Sequence, residues 1–256
     1  MIDTKKVAAV IPVRLESKKF PDKALVDIEG KPLIWHVWNC VGKAKCVEET
    51  IIATDSDKIR SAVEGWGGKA VMTSSGCRCG TERIAEILRD LRAEYILNIQ
   101  ADMPFMEPGL IDDLVKEWQP ERWEAATPVY KINSAEELWD PNLVKVVRAK
   151  DEGALYFSRT TIPYMRDIPK DKWLENNAFW GHVGIYAYRH DALEIYKSHS
   201  ESTLEKMEKL EQLRILEAGL HIQAIETQYH PLSVNSPEDM EKVRLVLQGE
   251  NGNNIQ

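Results

Sequence analysis

The chain has 256 residues, of which 43% are hydrophobic and 29% are charged, with a formal net charge of −8 and a pI near 5.4. We do not expect it to bind nucleic acid, because neutralising phosphates requires a basic face. No apolar run approaches the length of a membrane span, and the polar start at 1–6 lacks the pattern of a signal peptide. These features predict no membrane insertion and a cytoplasmic location.

Strand-like and amphipathic helical runs alternate through the first half, which is typical of parallel βαβ units. The predicted strands are 7–13, 50–54, 69–73 and 95–100, and the predicted helices are 32–44, 57–66 and 81–91. Pro32 suits the first turn of its helix, which has Leu33, Val37, Trp38 and Val41 on one face. The pattern predicts an α/β fold with a mostly parallel, doubly wound, Rossmann-like sheet.

The loop after the first predicted strand carries Arg14, Lys18, Lys19 and Lys23, although the chain is acidic overall. Open α/β sheets bind ligands where loops leave the carboxyl ends of their strands. Cations there, in a loop stiffened by Pro21, predict an anionic ligand such as a nucleoside triphosphate. A solvated surface turn is the alternative. Neither glycine-rich phosphate motif is present, so the loop is not a P-loop or a dinucleotide fingerprint.

Asp102 follows the strand predicted at 95–100 and faces the same edge of the sheet as the cationic loop. A carboxylate there can hold Mg²⁺ against nucleotide phosphates, or it can cap the turn before Pro104. The helix predicted at 81–91 opens directly after Gly80. Its free N–H groups could bind an anion or a base edge, while the acid in its first turn also suits the helix dipole.

The four cysteines are Cys40, Cys46, Cys77 and Cys79. In a reducing compartment they are predicted to be free thiols. The Cys-x-Cys pair at 77 and 79 also suggests zinc, but structural zinc sites usually use two pairs with wider spacing. Metal binding by cysteine is therefore the weaker interpretation.

The second half is more mixed. Strands are predicted at 125–130, 144–149, 154–158, 182–188 and 221–227, and helices at 202–217 and 237–247. Few helices separate the first three strands, which predicts a hairpin-rich arm at roughly 130–190. Ser202 and Glu205 form a capping box, and Gly219 stands where that helix would stop. We predict a single domain over 1–248, with a tail at 249–256 that is too polar to order itself.

A set of short segments, in the same order along nearly the whole chain, carries a family pattern. They are Ile11-Pro12-Val13-Arg14, Phe20-Pro21-Asp22-Lys23, Gly30-Lys31-Pro32-Leu33-Ile34, Ala53-Thr54-Asp55, Gly80-Thr81-Glu82-Arg83, Asn98-Ile99-Gln100 leading to Asp102, Asp140-Pro141-Asn142, Val144-Lys145-Val146-Val147, Ala154-Leu155-Tyr156-Phe157-Ser158-Arg159, Ile162-Pro163, His182-Val183-Gly184-Ile185-Tyr186, Leu210-Glu211-Gln212-Leu213-Arg214 and Ser236-Pro237-Glu238-Asp239. Together they resemble the 3-deoxy-manno-octulosonate cytidylyltransferases, also called CMP-Kdo synthetases.

The resemblance implies a nucleotidyltransferase sheet and transfer of CMP from CTP to the anomeric hydroxyl of the sugar acid 3-deoxy-manno-octulosonate (Kdo). Pyrophosphate would be released, and the product would serve lipopolysaccharide or surface-polysaccharide synthesis. The implied catalytic residues are Arg14, Lys23 and Asp102. The implied cofactor is Mg²⁺, with Asp102 and Asn235 as ligands. The resemblance also implies a homodimer, with the part of the arm at 140–163 as a candidate interface.

The same match assigns two sets of binding residues. The set for the nucleotide is Pro12, Val13, Arg14, Ser17, Lys19, Lys23, Arg78, Gly80, Thr81 and Gln100. The set for the sugar acid is Gln100, Arg159, His182, Tyr186, Glu211 and Gln212. Arginine suits a carboxylate because its planar fork can bind both oxygens. Without the resemblance, Glu211 and Gln212 would be an exposed helix face and His182 a hydrogen-bonded core histidine.

The chain departs from the family pattern at Lys19, Cys77-Arg78-Cys79, Ala101, Met103 and Asn235. Lys19 keeps the charge of an arginine but loses its bidentate geometry. Met103 replaces a glutamate and Asn235 an aspartate, which leaves less negative charge for Mg²⁺. We therefore keep two alternatives open. The acceptor is another anion, such as an amino-substituted Kdo or a phosphonate, or the chain is a nucleotide-binding paralogue with impaired catalysis.

Overall fold

A computed structural model describes residues 6–15, 20–230, 232–234, 239 and 243. Its strands are β1 (Val7–Val13), β2 (Asp27–Ile28), β3 (Lys31–Pro32), β4 (Glu49–Thr54), β5 (Lys69–Met72), β6 (Tyr95–Asn98), β7 (Ala125–Lys131), β8 (Lys145–Arg148), β9 (Ala154–Ser158), β10 (Trp180–His182), β11 (Tyr186–Arg189) and β12 (Ile222–Glu226). Its helices are α1 (Leu33–Val41), α2 (Asp57–Gly65), α3 (Gly80–Glu86), α4 (Pro108–Glu117), α5 (Ala135–Trp139), α6 (Trp173–Asn176), α7 (His190–Ser198), α8 (Thr203–Glu208) and α9 (Gln212–Glu217), with 3₁₀ turns at Lys23–Leu25, Leu88–Asp90 and Lys170–Lys172.

Ten strands of the described chain form one sheet in the order β5-β4-β1-β6-β11-β7-β10-β8-β9, with β12 beside β7. Strands β5, β4, β1 and β6 are parallel, and β11 runs antiparallel to both β6 and β7. Strands β2 and β3 make a separate small hairpin. The predicted α/β fold is confirmed, with a mixed sheet whose core of β5, β4, β1 and β6 is parallel and is extended by antiparallel strands.

Strand β1 occupies the centre of the parallel half because both of its faces are apolar. Ala9, Ile11 and Val13 pack in one cluster with residues of α1 and α4. Val10 points to the opposite face and packs in a second cluster with Ile84 of α3. Alternating side chains buried on both faces are expected for a strand with helices on either side. The carboxyl ends of β1, β4 and β6 therefore open at one shared edge.

Two elements that were predicted to be continuous are interrupted. The helix expected over 202–217 is interrupted at Lys209, which has a left-handed backbone with φ of 54° and ends α8. The strand expected over 182–188 is split into β10 and β11 around Gly184, whose φ is 93°. Hydrophobic periodicity continues through both positions, so it gives no sign of either break. The predicted capping box of Ser202 and Glu205 is confirmed.

Other predicted boundaries change by a few residues. The helix expected over 81–91 ends at Glu86 and continues as a single 3₁₀ turn. The strands of the expected arm, β8 to β10, extend the main sheet by antiparallel pairing. The closing helix predicted at 237–247 lies outside the described residues, apart from Asp239 and Val243. In the part of the chain that is described, no helix has the length and apolar character needed to cross a bilayer.

Candidate active site

Two cavities open at the edge of the sheet where β1 and β6 end. The first has a volume of about 250 Å³ and is lined by Pro12, Val13, Arg14, Lys23, Ala24, Cys77, Arg78, Cys79, Gly80, Arg83, Gln100, Ala101 and Asp102. The second has a volume of about 430 Å³ and is lined by Arg78, Cys79, Gly80, Gln100, Val144, His182, Gly184, Tyr186, Glu201, Glu205, Lys209, Leu210, Glu211 and Gln212. Because residues 78–80 and Gln100 line both, the cavities form one continuous crevice.

An ion pair lines the first cavity. Lys23 Nζ is 2.9 Å from Asp102 Oδ2 and donates a second hydrogen bond of 2.8 Å to the carbonyl of Val234. The backbone N–H of Val234 in turn donates to the carbonyl of Asp102 at 2.8 Å. These contacts bring together two residues that are 79 positions apart in the sequence. Arg14 is exposed on the same cavity and forms no ion pair with any residue that the structure describes.

The amino terminus of α3 packs directly on β1. A Cβ added at Gly80 would lie 2.9 Å from Cγ of Pro12, so only glycine lets the helix approach the strand this closely. Cys79 caps the helix by accepting a hydrogen bond from the N–H of Glu82. This close approach presents the first turn of α3 to both cavities.

We expect Gly80→Ala to destabilise the protein by about 1–3 kcal/mol, because the rigid Pro12 ring cannot move aside without shifting β1. The same shift should raise the KM for the nucleotide. Chemical denaturation and steady-state kinetics measure both effects. Gly109→Ala in α4 is the matched control, since nothing lies within 4 Å of its added Cβ. Equal behaviour of the two variants would contradict this interpretation.

Thr81 and Arg78 contribute in different ways. Thr81 is fully buried, and its hydroxyl donates a 2.6 Å hydrogen bond to Glu211 Oε1. Its side chain therefore ties α3 to α9 and is not among the groups that line either cavity. Arg78 is exposed at the junction of the cavities, where it pairs with Glu82 and, at 2.9 Å, with Glu201.

In the second cavity the contacts of His182 fix its tautomer. The Thr127 hydroxyl donates to the carbonyl of Ile185 at 2.7 Å, so the same oxygen must accept the 3.0 Å hydrogen bond from Nε2 of His182. The proton therefore sits on Nε2, and Nδ1 is an acceptor. Burial lowers the pKa of His182 to about 3, so the ring is neutral at ordinary pH.

The same shift makes stability depend on pH. An unfolded histidine binds a proton near pH 6.5, whereas the folded His182 does not until about pH 3. The unfolded state thus holds the extra proton, so His182 alone lowers folding stability by up to about 1.4 kcal/mol per pH unit between about pH 6.5 and pH 3. Urea titrations at several pH values between 6.5 and 4.5 give the free energy of unfolding at each pH. This free energy should fall less steeply with decreasing pH in His182→Gln than in the wild type. The exposed His199→Gln is the control, and an unchanged slope for His182→Gln would contradict the assignment.

The second cavity also contains buried polar atoms that lack a protein partner. The hydroxyl of Tyr186 and the Nε2 of Gln212 are both buried and form no hydrogen bond with the described chain. Tyr186 is 2% exposed and Gln212 is 3% exposed. A buried polar atom without a partner costs free energy, so both atoms are open to a hydrogen bond with a ligand or an ordered water in the cavity.

Not every predicted site residue lies in the crevice. The Arg159 guanidinium donates to the backbone carbonyls of Pro141, Glu208 and Lys209, and it lines neither cavity. Ser17, Lys19 and Asn235, predicted for the nucleotide and the metal, lie outside the described residues. The remaining predicted residues except Thr81 line one or both cavities.

Several lining residues were missed from the sequence. They are Ala24, Cys77, Cys79, Arg83, Ala101, Val144, Gly184, Glu201, Glu205, Lys209 and Leu210. Arg83 is only 3% exposed and pairs with Asp55 at 2.8 Å. Both residues belong to segments of the family pattern, and that match could have indicated a place near the site. The break at Lys209, which brings residues 209–212 to the cavity, had no such signal.

The cysteines are free thiols, as predicted. Burial and the nearby Glu86 raise the pKa of Cys77 to about 12, which keeps its sulfur protonated and a poor metal ligand. Among the described residues, no group of three His, Cys, Asp or Glu side chains could hold a metal ion. Mg²⁺ usually binds one or two carboxylates together with substrate phosphates. Asp102, the carboxylate of the first cavity, fits that mode.

Comparisons with known proteins identify the family to which the chain belongs. A family profile described as Cytidylyltransferase matches residues 8–223. The chain is 42% identical over 248 positions to the 3-deoxy-manno-octulosonate cytidylyltransferase of Geotalea uraniireducens, covering 93% of this chain and 97% of that protein. Identity to the enzyme of the same name from Geobacter sulfurreducens is 40% over 247 positions, with the same coverage of 93% and 97%.

Solved structures show the same relationship. CMP:2-keto-3-deoxy-manno-octonic acid synthetase complexed with CTP matches with a TM-score of 0.88 at 38% identity, covering 96% of this chain and 99% of that one. A 4-diphosphocytidyl-2C-methyl-D-erythritol synthase, at a TM-score of 0.63 and 15% identity, shares the fold; 95% of this chain and 99% of that one are covered. The chain is therefore a nucleotidyltransferase that belongs to the cytidylyltransferase family, together with the 3-deoxy-manno-octulosonate cytidylyltransferases.

Proposed function

We propose that the protein transfers CMP from CTP to the anomeric hydroxyl of Kdo, or of a closely related sugar acid, and releases pyrophosphate. The observation that carries this proposal is the shared wall of the two cavities, since a reaction between two substrates needs them side by side. In this proposal CTP occupies the first cavity and the sugar acid the second. The new bond joins the anomeric oxygen to the α-phosphorus as the bond to pyrophosphate breaks, and the proton of the anomeric hydroxyl passes to solvent.

The cations of the first cavity suit the triphosphate. Arg14 is exposed there without an ion-pair partner in the described chain, and the N–H groups of α3 open beside Gly80. Lys23 is already paired with Asp102, so the incoming phosphates would draw its ammonium away from the carboxylate. The negative charge that develops as pyrophosphate leaves would then face Arg14 and Lys23.

Asp102 would hold Mg²⁺ once Lys23 turns to the phosphates, and Asn235 is the second proposed ligand through its carbonyl oxygen. A bound Mg²⁺ would neutralise phosphate charge and orient the triphosphate. Met103 is 1% exposed and packs in the core, so this position adds no oxygen ligand to the site. The metal site proposed here therefore relies on few protein ligands and on the nucleotide itself.

The polar groups of the second cavity suit a polyhydroxylated acceptor. The neutral His182 offers Nδ1 as an acceptor, while Tyr186 and Gln212 offer donors that lack a protein partner. Glu211 accepts from Thr81 and lines the cavity with its carboxylate. Sugar hydroxyls both donate and accept, so they can satisfy all of these groups at once.

The test is pyrophosphate release with CTP, Mg²⁺ and a panel of acceptors that contains Kdo, an amino-substituted Kdo and a phosphonate. We expect Kdo to give the highest kcat/KM. Turnover only with the amino sugar or the phosphonate would transfer the proposal to that acceptor. CTP binding in a calorimeter without turnover on any acceptor would contradict the proposal and support an impaired paralogue.

The proposal includes two further features. The reaction would take place in the cytoplasm, where CTP is available, and its product would serve surface-polysaccharide synthesis. The active species would be a homodimer, for which the arm at 140–163 is the proposed interface. Leu155 of β9 is 63% exposed and lies on this arm. Analytical ultracentrifugation of the wild type and Leu155→Glu tests the dimer, and a monomeric wild type would rule it out.

A further inference from the structure

Arg214 connects the two halves of the crevice. Its side chain is 4% exposed and donates through Nη2 to Glu82 at 2.9 Å and to Glu205 at 2.6 Å, while Nε donates to Glu205 at 2.7 Å. Glu82 belongs to α3, which borders both cavities, and Glu205 belongs to α8, beside the second cavity. One buried guanidinium therefore joins helices that are more than a hundred residues apart in the sequence.

A second contact joins α3 to the same segment as the Arg214–Glu82 pair. Thr81, the neighbour of Glu82, donates its 2.6 Å hydrogen bond to Glu211, and Glu211 lies three residues before Arg214. Residues three apart occupy the same face of a helix. Consecutive residues of α3 thus hold one face of the segment 211–214, and this docking places Glu211 and Gln212 in the second cavity.

Charge and packing stabilise the contacts of Arg214 with Glu82 and Glu205. Burial raises the pKa of Glu82, but hydrogen bonds from Arg78 and Arg214 outweigh it and lower the pKa to about 2. Glu205 also receives the backbone N–H of Ser202 in the capping box. The guanidinium stacks on the ring of Tyr196 at 4.2 Å, which fixes its plane. The planar fork of an arginine holds two carboxylates in one fixed geometry, which the flexible ammonium of a lysine does not reproduce.

We propose that Arg214 is a positioning residue that fixes the acceptor half of the crevice against the nucleotide half. It acts through Glu82, Glu205 and the neighbouring Glu211, and does not itself line either cavity. Helix α3 has a separate anchor, because Arg83 pairs with Asp55 after β4. Loosening Arg214 should therefore displace α8 and α9 while leaving the nucleotide side in place. This role rests on the proposed function only in its effect on the sugar acid.

The test variant is Arg214→Lys, which keeps the positive charge and so avoids leaving two carboxylates without a cation. We expect kcat/KM for Kdo to fall on the order of 10²-fold, since displacement by about 1 Å can cost that much. The KM for CTP should stay within about twofold. Arg148→Lys is the matched control, because Arg148 also pairs with two glutamates and stacks on Trp180, yet lines neither cavity.

A second readout needs no acceptor. Hydrogen exchange of the backbone amides at 210–215 should speed up about tenfold or more in Arg214→Lys, while the amides of α3 stay protected. Unchanged exchange at 210–215 would overturn the inference. So would a loss of kcat/KM for Kdo no larger than that of Arg148→Lys. If the wild type gives no product with any acceptor of the panel, the proposed function fails, and the exchange experiment still decides the role of Arg214.

Discussion

Replacing Asp102 with asparagine is expected to lower kcat on the order of 10³-fold while the fold remains intact. The substitution keeps the size of the side chain but removes the carboxylate that pairs with Lys23 and that we propose to hold Mg²⁺. An amide oxygen is a weaker ligand for a hard cation than a charged carboxylate. Pyrophosphate release at saturating CTP measures kcat, and circular dichroism checks the fold.

Asp151→Asn provides the control for this loss. Asp151 forms an ion pair with Arg122 at 2.6 Å but lines neither cavity. Removal of a surface pair is worth about 0–1 kcal/mol in stability and should not change turnover. Undiminished turnover by Asp102→Asn would rule out its proposed role as the metal ligand. A higher Mg²⁺ requirement in this variant would support it.

Lys23→Met is expected to lower kcat by about 10² to 10³-fold and to raise the KM for CTP. The ammonium is the partner of Asp102 in the free protein, and we propose that it moves to the phosphates when CTP binds. Methionine keeps most of the length of the side chain without its charge. Steady-state kinetics with varied CTP separates the two effects.

Lys58→Met is the matched control, because Lys58 pairs with Asp22 at the same 2.9 Å separation on the exposed surface. A double variant of Lys23 and Asp102 adds a second check. Residues that act as a unit are strongly non-additive, so the double variant should lose much less than the product of the two single losses. Fully multiplicative losses, or a Lys23→Met variant as active as Lys58→Met, would contradict a shared role.

The parallel half of the sheet could be predicted from the sequence because local pattern and burial agree there. Strand β1 has the predicted bounds, and Arg14 and Asp102 follow the strand ends that the alternation of elements indicated. Their proximity to one crevice follows from the shared edge of parallel strands. The position of Arg14, Lys23 and Asp102 at one cavity could therefore be predicted from the sequence, and their roles stay predictions.

The acceptor half depends on backbone breaks that periodicity does not reveal. Lys209 adopts φ of 54° and Gly184 adopts φ of 93°, and each break turns its neighbours toward the second cavity. Lysine rarely adopts a left-handed backbone, so its identity gave no warning. Helix α4 was also missed, although Pro108 stands at its first position, where proline is favoured.

Arg159 shows the limit of transferring a role by resemblance. Its position in a matching segment suggested a contact with the acceptor carboxylate. In the folded chain its guanidinium donates to the backbone carbonyls of Glu208 and Lys209, at the break, and to that of Pro141. It supports the segment that carries Glu211 and Gln212 and does not line the cavity itself. Hydrogen-bond partners of this kind depend on tertiary structure, which a local segment does not encode.

A crystal structure with CTP, Mg²⁺ and the unreactive 2-deoxy analogue of Kdo would test the central claim most directly. We expect the triphosphate between Arg14 and Lys23, with the Lys23 ammonium on phosphate oxygens and the Asp102 carboxylate on the metal. The sugar should contact Tyr186 and Gln212 in the second cavity, with its C2 facing the α-phosphate across Gln100. A nucleotide bound elsewhere, or a sugar acid outside the second cavity, would contradict the account.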